Sequence, residues 1–225
     1  MENSGRFRRG IRRSFPIIAG YLPISIAYGV IGIRSGIPAW VLVSMSLFIY
    51  AGAGQFMAVN LFALGVAPLE MILGIGVLNF RHFVMGLSLQ SRIKSNLPDR
   101  LLLSLGMTDE TFTLLSLERE IDPAYAKGIM LGAYGSWISG TVAGILFGNI
   151  LPNIIASGLE IAIFALFISL LVSSLEDKGS LISIPAVSMI TNSIFSRMLP
   201  SGISILLSIL LGAFSGALSG GKKHV

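Results

Sequence analysis

Leu78-Asn79-Phe80-Arg81-His82-Phe83 sets an amide, a guanidinium and an imidazole inside an apolar run that extends from Pro68 to Leu89. A charge at the middle of a bilayer costs about 3 kcal/mol or more, so it persists there only facing protein, water or a solute path. Arg81 is therefore a candidate functional residue. The counter-charge it needs is offered by Thr108-Asp109-Glu110-Thr111, inside the apolar run that follows.

The rest of the chain agrees with a membrane setting. Of 225 residues, 53% are apolar and 12% charged, with a mean hydropathy of +0.82; soluble domains carry about 25% charged residues. The expected fold class is an all-α integral membrane protein of six to eight transmembrane segments. The net charge of +5 does not point to nucleic acid, because Arg6, Arg8, Arg9, Arg12 and Arg13 gather just before the first apolar run, as a positive-inside anchor does. Residues 1–13 are thus expected to form a basic cytoplasmic segment, 14–219 a polytopic transmembrane domain and 220–225 a short cytoplasmic tail. Arg12-Arg13-Ser14-Phe15 resembles a twin-arginine signal, but apolar runs continue behind it, so the first run is expected to be a retained span. The chain has no cysteine, which excludes disulfides and thiolate metal sites. With His82 and His224 its only histidines, no metal or other cofactor is expected.

Eight apolar segments follow in order: 15–33, 39–64, 68–89, 101–117, 128–150, 154–175, 181–195 and 203–218. On the first, Gly20, Pro23 and Ala27 make a small-residue face, and Pro23 is a candidate backbone break. The second carries Ala51-Gly52-Ala53-Gly54-Gln55-Phe56, where Gly52 and Gly54 suit either an unwound backbone or a close helix crossing, with Gln55 at hand for a polar bond. Arg81 divides the third into halves too short to cross a bilayer alone, so a broken or re-entrant helix fits the lengths slightly better there than the alternative, a single spanning helix with Arg81 facing the bundle. If the fourth is one helix, Leu105, Thr108, Asp109 and Phe112 share a face and Glu110 lies about 100° away from it. Two adjacent acids also suit a helix end. The fifth is rich in glycine and reads as a packing face.

A faint repeat at an offset of about 113 residues aligns Tyr21 with Tyr134, Pro38 with Pro152 and Asn79 with Asn192. Secondary transporters are often built from inverted repeats with broken helices at the solute site. Segments three and seven, the interrupted and the short one, are the expected broken or re-entrant pair. The candidate substrate-binding or transport residues are accordingly Arg81, Asp109, Glu110, Gln55, Asn79, His82, Thr108 and Asn192.

The basic N-terminus before Gly20-x-x-Pro23, the Ala51–Phe56 stretch, Leu78–His82 and Thr108-Asp-Glu-Thr-Phe112, in this order, resemble the AzlC-type branched-chain amino acid permeases over roughly residues 10–218. The resemblance implies export of leucine, isoleucine, valine or related apolar analogues through the bacterial inner membrane, N-terminus cytoplasmic, together with a small hydrophobic AzlD-like membrane subunit. It leaves self-association into a homo-oligomer open.

Two other classes compete with a carrier. A channel for another small solute favours rings of like charge or a repeated filter, and a lone mixed-charge pair offers neither. An intramembrane enzyme needs a nucleophile with its base or a metal set such as His-Glu-x-x-His, and the sequence carries neither, so the chain is not expected to be an enzyme.

Overall fold

The computed structural model describes residues 2–90, 92–93, 95–118, 120–148, 150–152, 182–199 and 201–220, with the single positions 158, 168 and 172. The sixth apolar segment at 154–175, Lys94 and the tail from 221 onward otherwise lie outside the described residues. All regular elements described are helices: α1 (Glu2–Arg13), α2 (Phe15–Arg34), α3 (Ala39–Phe48), α4 (Gly52–Ala63), α5 (Pro68–Gln90), α6 (Leu97–Leu105), α7 (Asp109–Ser116), α8 (Pro123–Gly148), α9 (Ser183–Phe195) and α10 (Ser201–Gly220). Of the helices described, α2, α5 and α8 are long and apolar enough to cross a membrane. Two packed units are drawn from these, one from Met1–Val59 and Asn79–Ala162, the other from Asn60–Leu78 and Ile163–Val225.

In the first unit α1 and α2 lie along α8. A Cβ on Gly10 would meet the Tyr125 carbonyl oxygen at 2.1 Å, and one on Gly29 would meet that of Thr141 at 2.4 Å. Gly132 faces Ser14, Gly140 faces Ser25, and Gly148 faces Val30 and Ile33. The numbers rise together on both sides, so α2 and α8 run parallel. Small residues let backbones touch where lipid provides no hydrophobic drive between helices. The glycine face expected on α8 is therefore present, but its match on α2 is Ser25 and Gly29. Gly20 and Pro23 are exposed, and a Cβ on Gly20 would meet nothing within 4 Å; at 3.6 residues per turn they lie on roughly the far side of the helix. Nor does Pro23 break α2, which is continuous through it.

The ends of this pair are tied. At one end Arg34 Nε donates to Gly148 O at 2.8 Å and Arg34 Nη2 to Leu151 O at 2.6 Å, serving the carbonyls left free where α8 stops. At the other, Asp122 accepts from Arg6 Nη1 at 2.7 Å and from the Tyr125 N–H at 3.0 Å. Burial opposes the charge on Asp122, but these partners outweigh it and hold the carboxyl below the usual carboxylate range.

Among the described residues, two of the apolar segments fold back on themselves. The second stops at Phe48, turns through Tyr50 at a φ of 44°, and resumes at Gly52 as α4. Tyr28 Oη donates to Leu42 O at 3.4 Å while its ring meets Phe56 edge-on at 5.6 Å, so α3 and α4 pass the same level of α2. Gln55 Nε2 donates to Ser46 Oγ at 2.9 Å and closes the hairpin. Its mouth lies at the C-terminal end of α2, where the Ile37 N–H returns to Gly32 O at 3.2 Å.

The fourth segment does the same from the other end. Lys127 Nζ holds Asp99, early in α6, at 2.6 Å; Arg92 Nη1 donates to Ser116 O, at the end of α7, at 3.0 Å; and the Ile121 N–H donates to Arg92 O at 3.0 Å. Both feet of this hairpin thus stand at the N-terminal end of α8. Its tip, Gly106–Thr108, reaches Tyr21, nearly two turns into α2. Helices of 8–12 residues rise only about 12–18 Å, half of a bilayer core of about 30 Å, so these are re-entrant hairpins entering from opposite ends.

An all-α membrane fold is thus present, and among the described residues the hairpins fall in segments two and four, while segment three is not the broken helix expected there. Segment three is the unbroken helix α5, and its C-terminal half runs from Asn79 beside Gly54 to Arg92 beside Ile121, antiparallel to α8. The backbone stays helical because Arg81 finds its counter-charge in a side chain and has no need of unwound carbonyls. The inverted relationship also falls differently. The mates expected at an offset of 113, α2 and α8, are parallel; it is the unit of one long helix plus one hairpin that occurs twice, as α2 with α3–α4 and as α5 with α6–α7, with the hairpins opposed.

The second unit pairs α9 with α10. Ser204 Oγ donates to Asn192 Oδ1 at 2.9 Å, Gly212 faces Ser188 and Gly216 faces Ile184, an antiparallel register.

Candidate functional site

The tip of the second hairpin is a helix start. Thr108 is the N-cap of α7, its hydroxyl accepting from the Thr111 N–H at 3.3 Å while the Thr108 N–H donates to Thr111 Oγ1 at 2.8 Å. Asp109 and Glu110 therefore occupy the first turn, where the helix dipole favours negative charge. That placement is what makes two adjacent carboxylates tolerable at this depth.

The two acids diverge. Asp109 Oδ2 lies 3.0 Å from Arg81 Nη2 of α5, each side chain about one third exposed (32% and 31%). Glu110 turns toward α2, where Tyr21, itself buried, places its hydroxyl 2.5 Å from Glu110 Oε2 and 2.8 Å from Thr108 Oγ1. The divergence is the roughly 100° between adjacent helical positions, kept within α7, which starts after the break at Gly106–Thr108.

Beside the first tip runs a second polar chain. Trp137 Nε1 donates to Gln55 Oε1 at 3.0 Å, Gln55 Nε2 to Ser46 Oγ at 2.9 Å, Ser46 and Thr141 hydroxyls are 2.9 Å apart, and Thr141 Oγ1 donates to Trp137 O at 2.9 Å. Gln55, Ser46 and Thr141 are fully buried, and the amide of Gln55 joins both arms of the hairpin to α8. Gly52 and Gly54 lie inside α4, just past the break at Ile49–Ala51. Their role is close approach: a Cβ on Gly52 would meet Trp137 at 2.8 Å and one on Gly54 would meet the Asn79 amide at 2.9 Å.

Both tips line one largely apolar cleft of about 670 Å³, walled by Leu47, Tyr50, Asn79, His82, Met107, Met130 and Tyr134. Tyr134 Oη donates to Leu47 O at 2.7 Å, serving a carbonyl exposed where α3 ends. Buried at this site are three polar atoms without a hydrogen-bond partner: Tyr50 Oη, Asn79 Oδ1 and Arg81 Nε. His82 Nδ1 is 3.1 Å from Asn79 O, and since a carbonyl can only accept, the ring carries its proton on Nδ1. Among the described residues no group of histidine, aspartate and glutamate is placed to hold a metal ion.

Of the residues singled out from sequence, Arg81, Thr108, Asp109 and Glu110 meet at the second tip, Gln55 anchors the first hairpin, and Asn79 and His82 face the cleft. Asn192 belongs to the second packed unit, bonded to Ser204. Tyr21, Tyr50, Trp137 and Thr111 were not singled out for the site. The one available signal was the Thr-Asp-Glu-Thr string, which reads as a capped helix start with acids in its first turn.

Opposed hairpins that meet long apolar helices through polar side chains, one tip by the Gln55 amide and the other by the Arg81–Asp109 pair, define a polytopic helical membrane protein with a partly buried polar site. Within that class the chain belongs to the AzlC family, described as AzlC protein, which it matches over residues 16–151. It is 32% identical over 180 residues to a membrane protein of Archaeoglobus fulgidus, covering 79% of this chain and 80% of the relative. To the inner membrane protein YgaZ of Escherichia coli it is 32% identical over 188 residues, covering 79% and 77%. The branched-chain amino acid transport protein AzlC of Bacillus subtilis is 28% identical over 166 residues, covering 72% of this chain and 65% of the relative. No solved structure matches the chain at a significant level.

Proposed function

We propose that this chain is an inner-membrane secondary transporter that exports branched-chain amino acids or related apolar analogues, working with a small membrane subunit. The observation that carries the reading is the Arg81–Asp109 pair at the hairpin tip. A zwitterion brings one charge of each sign into a low-dielectric site, and a guanidinium and carboxylate that pair when the site is empty can exchange partners when it is filled, Arg81 taking the carboxylate and Asp109 the ammonium. The apolar cleft starting at Asn79 and His82, around α5 from Arg81, offers a surface for an aliphatic side chain. The name of the Bacillus relative supports the substrate class.

The charges support a cytoplasmic N-terminus. Arg6, Arg8, Arg9, Arg12, Arg13, Arg92, Arg100 and Lys127 stand at the end of the first unit where α1 and the feet of the second hairpin lie, and Arg34 stands at the other. Cytoplasmic loops carry such an excess. The test is flux of radiolabelled leucine, valine and methionine, with a control cation, in membrane vesicles. Saturable amino-acid flux is expected; cation flux without amino-acid flux would favour a channel.

A further inference from the structure

We propose that Glu110 is the site where a proton is taken up and released during the transport cycle, separate from the pair that meets the substrate. The inference rests on the transporter reading above.

The first support is charge. The second tip holds two carboxylates and one guanidinium, and Arg81 is engaged by Asp109 at 3.0 Å. Glu110 is the carboxylate left over, and among the described residues it forms no ion pair. Its uptake of a proton changes the charge of the site without touching the pair.

The second support is the wiring of hydroxyls around it. With Glu110 ionised, Tyr21 O–H donates to Glu110 Oε2 (2.5 Å), Thr108 O–H donates to Tyr21 Oη (2.8 Å), the Thr111 N–H donates to Thr108 Oγ1 (3.3 Å), and Thr111 O–H ends on Gly106 O (3.1 Å). With Glu110 protonated the chain reverses. The carboxylic acid donates to Tyr21 Oη, Tyr21 O–H to Thr108 Oγ1, and Thr108 O–H to Thr111 Oγ1 at 3.2 Å, while Thr111 O–H still ends on Gly106 O. Each hydroxyl has one donor proton and two lone pairs, and both states use them without an orphan. No heavy atom has to move. A half-buried carboxyl resists changing charge where one state leaves a neighbouring polar group unsatisfied; here the hydroxyl chain is satisfied in both states. Among the described residues the Asp109 carboxylate has no such chain, only its pair with Arg81.

Tyr21 on α2 and Tyr50 at the first tip are the groups that face Glu110, Tyr134 stands behind Tyr50 at 4.9 Å, and the Arg81–Asp109 pair flanks it on the α5 side. His82 is turned to Asn79 O within its own helix. In the step itself a proton from the aqueous phase on one side forms the O–H bond at Glu110, the site loses one negative charge, and that proton leaves to the other side when the hairpin tip is next exposed.

The experiment uses inverted vesicles from cells producing the full chain. It compares leucine accumulation driven by an imposed pH gradient with gradient-free exchange of external radiolabelled for internal unlabelled leucine. Glu110→Gln is expected to abolish gradient-driven accumulation while exchange falls by no more than about tenfold, and Tyr21→Phe to slow accumulation about tenfold with exchange retained. Asp109→Asn is expected to lose both. Gradient-driven accumulation by Glu110→Gln at the wild-type level overturns the proposal, as does loss of exchange in both Glu110→Gln and Glu110→Asp when immunoblots show normal membrane levels. Absence of any leucine flux in the wild type fails the transporter reading instead, so the two failures are distinct.

Discussion

Asp109, the first residue of α7, pairs with Arg81 across 3.0 Å, so a helix start on one segment neutralises a cation carried by another. The two charges hold the second hairpin tip against α5. With each side chain about one third exposed, breaking the pair is expected to cost about 2 kcal/mol, between the values for exposed and for buried pairs. Arg81→Gln together with Asp109→Asn leaves no lone charge and is expected to unfold at a higher temperature in detergent than either single variant. A double variant no more stable than the worse single would mean that the two are not coupled.

The parallel packing of α2 on α8 rests on backbone contact. Gly29→Ala places a methyl 2.4 Å from the Thr141 carbonyl oxygen, and backbone cannot yield as a side chain can. Thermal unfolding in detergent should show a loss on the order of 1–3 kcal/mol, typical of overpacking. Gly20→Ala, with nothing within 4 Å, is the matched control and is expected to be neutral or slightly stabilising.

Gln55 is the polar bolt of the first hairpin. Gln55→Leu keeps the volume but strips Trp137 Nε1 of its acceptor and Ser46 of its donor, leaving buried groups unmet at about 1–3 kcal/mol. Lower stability with a shifted Trp137 emission in a Trp40→Phe background is expected. An unchanged spectrum would remove the bolt from the account.

Sidedness follows from the two hairpins. In this cysteine-free chain, single cysteines at Arg92 and Glu118 should react with an impermeant maleimide from the side of the N-terminus, and one at Ser35 from the opposite side. Eight plain spans would put residue 92 with residue 35. A re-entrant third segment would put residue 118 there.

The membrane class and the Arg81–Asp109 partnership were legible from sequence, because each rests on the high cost of bare polarity in hydrocarbon. The location of the breaks was not. Arg81 resembles an interruption when segments are measured by apolar length, yet a side-chain partner keeps α5 helical. The breaks fall where backbone geometry decides, at Tyr50 with its φ of 44° and at Gly106 ahead of the Thr108 cap. A non-glycine residue at positive φ has no signature of its own in sequence. The Tyr21 contact of Glu110 was hidden for a related reason, since nothing in the sequence sets the new helix start at Thr108 against the level of Tyr21.

The central claim, that the Arg81–Asp109 pair is where an amino acid is recognised in transit, is tested most directly by initial rates of leucine flux per milligram of inserted protein for wild type and Asp109→Asn. The account predicts saturable flux in the wild type and a loss of roughly thirtyfold or more in the variant, the equivalent of about 2 kcal/mol. Flux through Asp109→Asn at the wild-type rate would contradict it.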